Sequence, residues 1–173
     1  MLPQQPIEIR QLALEDMDDI VRLHDIYLNY GAGIRPHYEA MLRDPETVAC
    51  KAVTPDGAMV GLAIYVPGIS FSGGHPELCD MVRQRVGEAK TYTGDALLVV
   101  QEYRRQGIDA RMLAYIRQGM LQRGVVYVVA ELWVHPDGKV PGKRIPTTLG
   151  EVIDLGLYHN FYCDFDHYGY LCP

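Results

Sequence analysis

The chain has 173 residues, a net charge of −6, and 48% hydrophobic against 22% charged residues. That is enough for one domain with a sizeable core, and it excludes an intrinsically disordered chain. The acidic balance argues against a general nucleic-acid binder, which needs a basic face, and leaves a cationic partner such as an amine open.

Cys50, Cys79, Cys163 and Cys172 show no CxxC spacing and no dense disulfide framework. No run approaches the ~20 apolar residues of a membrane span, and the opening MLPQQPIEIR lacks a signal pattern. The expectation is a cytoplasmic protein with reduced thiols that binds neither membrane nor nucleic acid. The last residues, Leu171-Cys172-Pro173, still read as strand, which implies a natural chain running further.

In chain order, Ile7 to Ala13 alternates as a strand does. Leu14 to Tyr30 keeps helical spacing, with Glu15 and Asp16 at the end where the helix dipole favours anions. Gly31-Ala32-Gly33 breaks it, and Pro36 to Arg43 predicts a short helix. Thr47 to Val53 and Ala58 to Val66 form a hairpin around Pro55-Asp56-Gly57. Residues 67–90 open Gly- and Ser-rich and close with a predicted helix from Pro76 to Val86. Thr91 to Val100 is an apolar strand, and Arg105 to Arg123 a long helix ended by Gly124. Val125 to Val134 is nearly all apolar, as for a strand buried on both faces. After a loop, HPDGKVPGKRIP, Thr148 and Glu151 make a capping box that predicts a short helix stopping at Gly156. Two aromatic-rich segments joined by Asp164-Phe165-Asp166 then make a last hairpin. The order predicts one α+β domain over 1–173, with a mixed sheet rather than a doubly wound one.

The stretch VVQEYRRQGIDARML, residues 99–113, carries the functional signal. A helix N-terminus has unpaired N–H groups and partial positive charge, and a glycine-containing turn before it aims those donors at one point. Such a junction is an anion site, most often for phosphate. Gln106 and Gly107 would give close backbone approach, and Arg104 and Arg105 positive charge at the rim. The plain alternative is a solvated turn in which Gly107 lets the chain bend.

Val99-Val100-Gln101-Glu102-Tyr103-Arg104-Arg105-Gln106-Gly107-Ile108-Asp109 resembles the acyl-CoA signature V-x-P-x-Y-R-G-Q-G-I-G of the GNAT superfamily of N-acyltransferases. The element order along nearly the whole chain is also similar to that superfamily's. The resemblance implies a mixed, mostly antiparallel central sheet flanked by helices, here with 67–90 inserted between the third and fourth strands. It also implies acetyl-CoA as co-substrate. Main-chain groups of Leu98, Val99 and Val100 would pair with the pantetheine arm. Donors of the loop and first helical turn, around Arg104, Arg105, Gln106, Gly107, Ile108, Asp109 and Ala110, would hold the pyrophosphate.

Two positions depart from the pattern. Asp109 stands where the family has Gly or Ala. A carboxylate about 6 Å from a bound phosphate, at an effective dielectric of about 20, costs about 3 kcal/mol. An outward orientation with Arg104, Arg105 and Arg111 nearby would offset that. In the expected last helix, Val152 stands where many members have the tyrosine that protonates the departing thiolate. Tyr158 and Tyr162, just downstream, are the candidates for that role, since a phenol of pKa ~10 can protonate a thiolate unshifted. Ordinary strand tyrosines are the alternative.

Glu131 is the candidate base. It interrupts VVYVVAELWV, and a buried strand tolerates a charge only when it is paired or functional. A salt bridge is the other reading. His159, Cys163 and His167 repeat every four residues, but in a strand and turn that spacing makes no metal site, and no metal is expected. The insert, with Gly73-Gly74-His75 as lid material, is a candidate for shaping the pocket or for a homodimer contact; surface decoration is its bland reading.

The resulting expectation is an N-acetyltransferase acting on a small-molecule or peptide amine in a ternary complex. Its rivals are a non-catalytic acyl-CoA-binding module of the same fold, supported by Asp109 and Val152, and an unrelated α+β domain that binds another phosphate ligand.

Overall fold

The structure, a computed structural model, describes residues 6–27, 34–71, 75–133, 153–160 and 165–172. Its strands are β1 (Glu8–Gln11), β2 (Val48–Val53), β3 (Met59–Pro67), β4 (Thr91–Val99), β5 (Tyr127–Trp133), β6 (Ile153–Asn160) and β7 (Phe165–Cys172). Its helices are α1 (Met17–Tyr27), α2 (Ile34–Arg43), α3 (Pro76–Val86) and α4 (Ile108–Gln122). The chain divides into two compact units, one of residues 1–66 and 95–119, the other of residues 67–94 and 120–173. The strand order is β1-β2-β3-β4 through the first and β4-β5-β7-β6 through the second, β4 running through both.

In the first unit β1, β2 and β3 pair antiparallel, with Glu8 opposite Val53 and Ala49 opposite Ile64. Val100 donates its N–H to the Val60 carbonyl at 2.9 Å and so attaches the end of β4. Alternate residues of β2 and β3 serve two helical layers. Ala49, Leu62 and Ile64 pack with Ile20 and Leu23 of α1 and Tyr38 of α2. Cys50 and Gly61 turn the other way, toward Met112 of α4. Covering both faces is why these strands read as continuous apolar runs. Arg111 donates to the Ile7 carbonyl at 2.6 Å and ties the first turn of α4 to the chain just before β1.

A buried hydrogen bond joins the two helices of the first layer. Tyr38, 1% exposed, meets Nε2 of His24, 3% exposed. Burial pushes the His24 pKa down, so the ring stays neutral near pH 7 and accepts from the phenol. Tyr38→Phe keeps the ring and deletes the donor. It is expected to lower the unfolding free energy by about 1–3 kcal/mol in urea titrations.

In the second unit, β5 pairs parallel with β4 over Thr91–Thr93 and Tyr127–Val129. It pairs antiparallel with β7 from Val128 opposite Cys172 to Trp133 opposite His167. The inserted segment does not hang from the sheet. Phe71, Val82 and Val86 are buried against Val129, with Ile69, Leu78 and Tyr127 around them. The α3 face of β5 thus has a core of its own. Gly73 and Gly74 lie outside the described residues.

Two expected boundaries are corrected. The long helix begins at Ile108 and not at Arg105, because the turn before it has positive φ at Arg105 and Gly107, which a right-handed helix excludes. The short helix expected to run to Gly156 is replaced, from Ile153, by strand β6. β6 pairs with β7 from Ile153 opposite Leu171 to Asn160 opposite Phe165. Ile153, Leu155 and Leu157 alternate with Asp154, Gly156 and Tyr158, a strand period that the capping box upstream obscured. Thr148, Glu151, Val152, Tyr162, Cys163 and Asp164 lie outside the described residues.

Candidate functional site

The end of β4 is still held to β3 where the turn begins. Val100 uses its N–H on Val60, so the strand's alternation turns the main-chain groups of Val99 to the opposite edge. Of Leu98, Val99 and Val100, it is therefore Val99 that can offer main-chain groups to a ligand at that edge. The Val99 carbonyl already accepts from Arg104 Nε at 2.9 Å, which pulls the arginine back over the strand end.

The chain then makes one 3-10 turn, Gln101–Tyr103, and enters the loop proper. φ is −66° at Arg104, +61° at Arg105, not positive at Gln106, and +71° at Gly107. Arg104 is itself extended, with ψ 161°, so the chain turns at Arg105 and Gly107. Arg105 is the non-glycine residue held at positive φ among those described. That conformation costs on the order of 1–3 kcal/mol and persists only where the surroundings impose it. The first bond of α4 is Arg111 N–H to the Gly107 carbonyl at 3.1 Å. Ile108, Asp109 and Ala110 therefore have no intrahelical acceptor for their N–H groups. Asp109 is the second residue of the helix, where the dipole favours an anion, and it is half-buried. Arg104 donates to Val99 and Arg111 to Ile7, neutral carbonyls that leave both charges in place, and Arg105 has an exposed side chain at the turn.

A second group lies in the same unit and escaped the sequence reading. Asp95 of β4 pairs with His37 of α2, Oδ1 to Nε2 at 3.2 Å. That hydrogen bond, first, and the carboxylate charge raise the His37 pKa, against a smaller opposing effect of burial. Asp95 interrupts the apolar run TYTGDALLVV just as Glu131 interrupts its own, so the same signal would have found it.

In the other unit Glu131 is half-buried and two residues beyond Val129, hence on the α3 face of β5. Its charge is among the smaller influences on the Cys79 thiol of α3.

No family model and no curated protein matches the sequence. Solved structures do resemble it. NAA60 of Arabidopsis thaliana with acetyl-CoA is 17% identical, with 96% of this chain and 98% of that one covered and a TM-score of 0.71. Aminoglycoside 6'-N-acetyltransferase with coenzyme A is 16% identical over 95% of both chains, TM-score 0.69. A GNAT-family protein of Desulfovibrio desulfuricans is 16% identical, covering 96% and 98%, TM-score 0.64. The chain has the GNAT acetyltransferase fold.

On the GNAT fold the turn acquires a reading residue by residue. Arg105 stands at the first glycine of the signature R-G-Q-G, and its positive φ is the conformation that glycine would adopt without strain. Gly107 and the open N–H groups at the start of α4 fit a pyrophosphate. Asp109 is the side chain of the turn that opposes it. Ile153–Leu157, expected at the end of the last helix, are strand. Tyr158 lies in the paired part of β6. It lies opposite His167, which lies opposite Trp133, two residues from Glu131. At ~4.8 Å per strand and ~3.3 Å per residue, the Cα atoms of Tyr158 and Glu131 are on the order of 12 Å apart. Among the described residues, no helix is long and apolar enough to cross a membrane and no metal-binding group forms.

Proposed function

We propose that the chain is a cytoplasmic N-acetyltransferase that moves an acetyl group from acetyl-CoA to a small-molecule or peptide amine by direct attack in a ternary complex. The observation that carries this reading is the turn from Arg104 to Ala110, with its alternating φ and its open helix start. Bound there, acetyl-CoA supplies the activated acyl group. The N–H groups of Arg105 to Ala110 hold its pyrophosphate, and of the stretch Leu98 to Val100 it is the main-chain groups of Val99 that orient the thioester and polarise its carbonyl. Glu131 assists removal of a proton from the amine, directly or through water, and Tyr158 or Tyr162 protonates the thiolate. A covalent route through Cys50 is disfavoured: burial pushes its pKa up to about 12, and the thiol stays protonated.

Calorimetric titration with acetyl-CoA, for the natural chain and for Asp109→Gly, tests the reading. Micromolar binding by the natural chain is expected, tightened about tenfold or more in the variant, as removal of a like charge near a phosphate predicts. Asp109 also favours a second reading, a GNAT-fold module that binds acyl-CoA without turnover. Tight binding with no acetyl transfer across an amine panel would select it. Absence of binding in both proteins would remove the anion site.

A further inference from the structure

The His37–Asp95 pair is out of place as a structural feature. Aspartate is depleted in strands, and this one sits between Gly94 and Ala96 of an apolar strand. The last β4–β5 pair is Thr93 with Val129, and Asp95 is two residues further, where the residue as a whole is exposed although Thr93 and Ala96 on either side are buried. Its carboxylate is 21% exposed and the His37 side chain 48%, so a solute reaches both. A half-exposed ion pair contributes little stability, which makes it a weak reason to keep a carboxylate inside a strand.

The support behind the pair is firm. Tyr38, the next residue, is locked to His24 in the core, so α2 presents His37 from a fixed backbone. The His37 and Tyr38 rings lie 5.3 Å apart. His24 of α1 interacts electrostatically with both members of the pair and with its neighbour Asp25, and Arg35, Tyr38 and Glu39 share α2 with His37. Arg35 is engaged by Asp18 and, at 3.9 Å, by Glu39, and so does not neutralise Asp95.

A carboxylate held by a titratable and half-exposed partner can exchange that partner for another N–H cation. An ammonium group carries three donors and matches the site, and the acidic chain concentrates cations near it. We propose that His37 and Asp95 form the subsite for the acceptor amine: Asp95 takes the ammonium group, and His37, in place of Glu131, takes the proton that the ammonium must lose. The inference deepens the acyltransferase reading and rests on it for the chemistry. Asp95 lies three to four residues before Leu98–Val99 on the same strand, about 10–13 Å along it. The amine enters as R–NH3+, neutral His37 becomes imidazolium, and R–NH2 is left. Its nitrogen forms the C–N bond as the C–S bond breaks. The second nitrogen proton ends on the departing thiolate, and the imidazolium returns its proton to solvent.

The binding step is testable without knowing the acceptor. The probe is the diamine cadaverine, titrated calorimetrically, with tetramethylammonium, which has no N–H donor, as the control at equal ionic strength. His37 is followed by NMR over the same pH range. Cadaverine displaces His37 from Asp95, so the His37 pKa is expected to fall on saturation. By linkage the probe then binds more tightly at about pH 8 than at about pH 6, because deprotonated His37 releases the carboxylate. Asp95→Asn is expected to weaken cadaverine about tenfold or more, while acetyl-CoA affinity stays unchanged. His37→Gln retains binding and loses its pH dependence, which keeps the test open if the aspartate variant fails to fold. Equal binding of cadaverine and tetramethylammonium, an unmoved His37 pKa, or full affinity in Asp95→Asn overturns the subsite. Cadaverine binding without any acetyl-CoA binding would instead leave the amine site standing and sink the transferase reading.

Discussion

Ile116→Ala is expected to lower the unfolding free energy by about 2–5 kcal/mol, a large part of the total stability of a domain of this size. Ile116 is 0% exposed and sits on α4, between the equally buried Met112 and Leu113 and the nearly buried Met120. Truncation removes three carbons from water-free surroundings and leaves a cavity that close-packed neighbours fill only in part. Leu121, on the same helix but 58% exposed, supplies the control. Leu121→Ala should change stability by no more than about 0.5 kcal/mol. Urea unfolding of both variants checks the pair. Equal losses would mean that the burial assigned to the two faces of α4 is wrong.

Gly61→Ala is the second large effect, and it connects stability to the site. A Cβ at position 61 would lie 2.9 Å from the Leu98 carbonyl and 3.3 Å from the Met112 terminal methyl. The methionine end can swing aside, but the carbonyl belongs to the backbone of β4. The strand must shift at Leu98, beside the residue whose main-chain groups are assigned to the thioester. The expected result is a loss of about 1–3 kcal/mol in stability, the usual range for an overpacked interior. A loss of acetyl-CoA affinity should accompany it, even though residue 61 touches no ligand in the proposed reading. Stability loss with unchanged affinity would separate Leu98 from the cofactor strand.

Much of the architecture was legible because it depends on local pattern. The hairpin around Pro55-Asp56-Gly57 follows from turn chemistry between two apolar runs. The inserted helix ran from Pro76 to Val86 as read, since proline at the first helical position and a glycine just past the end mark both boundaries. The turn at 104–110 was legible as a glycine-containing turn that leads into a helix. Its strained residue was not, since a positive φ at an arginine has no local propensity behind it.

What the sequence determined by itself was therefore the set of elements with short-range signals and one charged residue, Glu131, that interrupts a buried strand. Tertiary structure decided the rest. Ile153–Asn160 became a strand because Phe165–Cys172 supplied hydrogen-bond partners that a local capping signal could not outweigh. The insert became core because Val129 lay where Val82 and Val86 could bury against it. Asp95 acquired meaning only when α2, 58 residues earlier in the chain, brought His37 to its carboxylate. Such pairings join residues that are distant in sequence. Their energy exists only once loop closure has brought them together, so no window of sequence contains it.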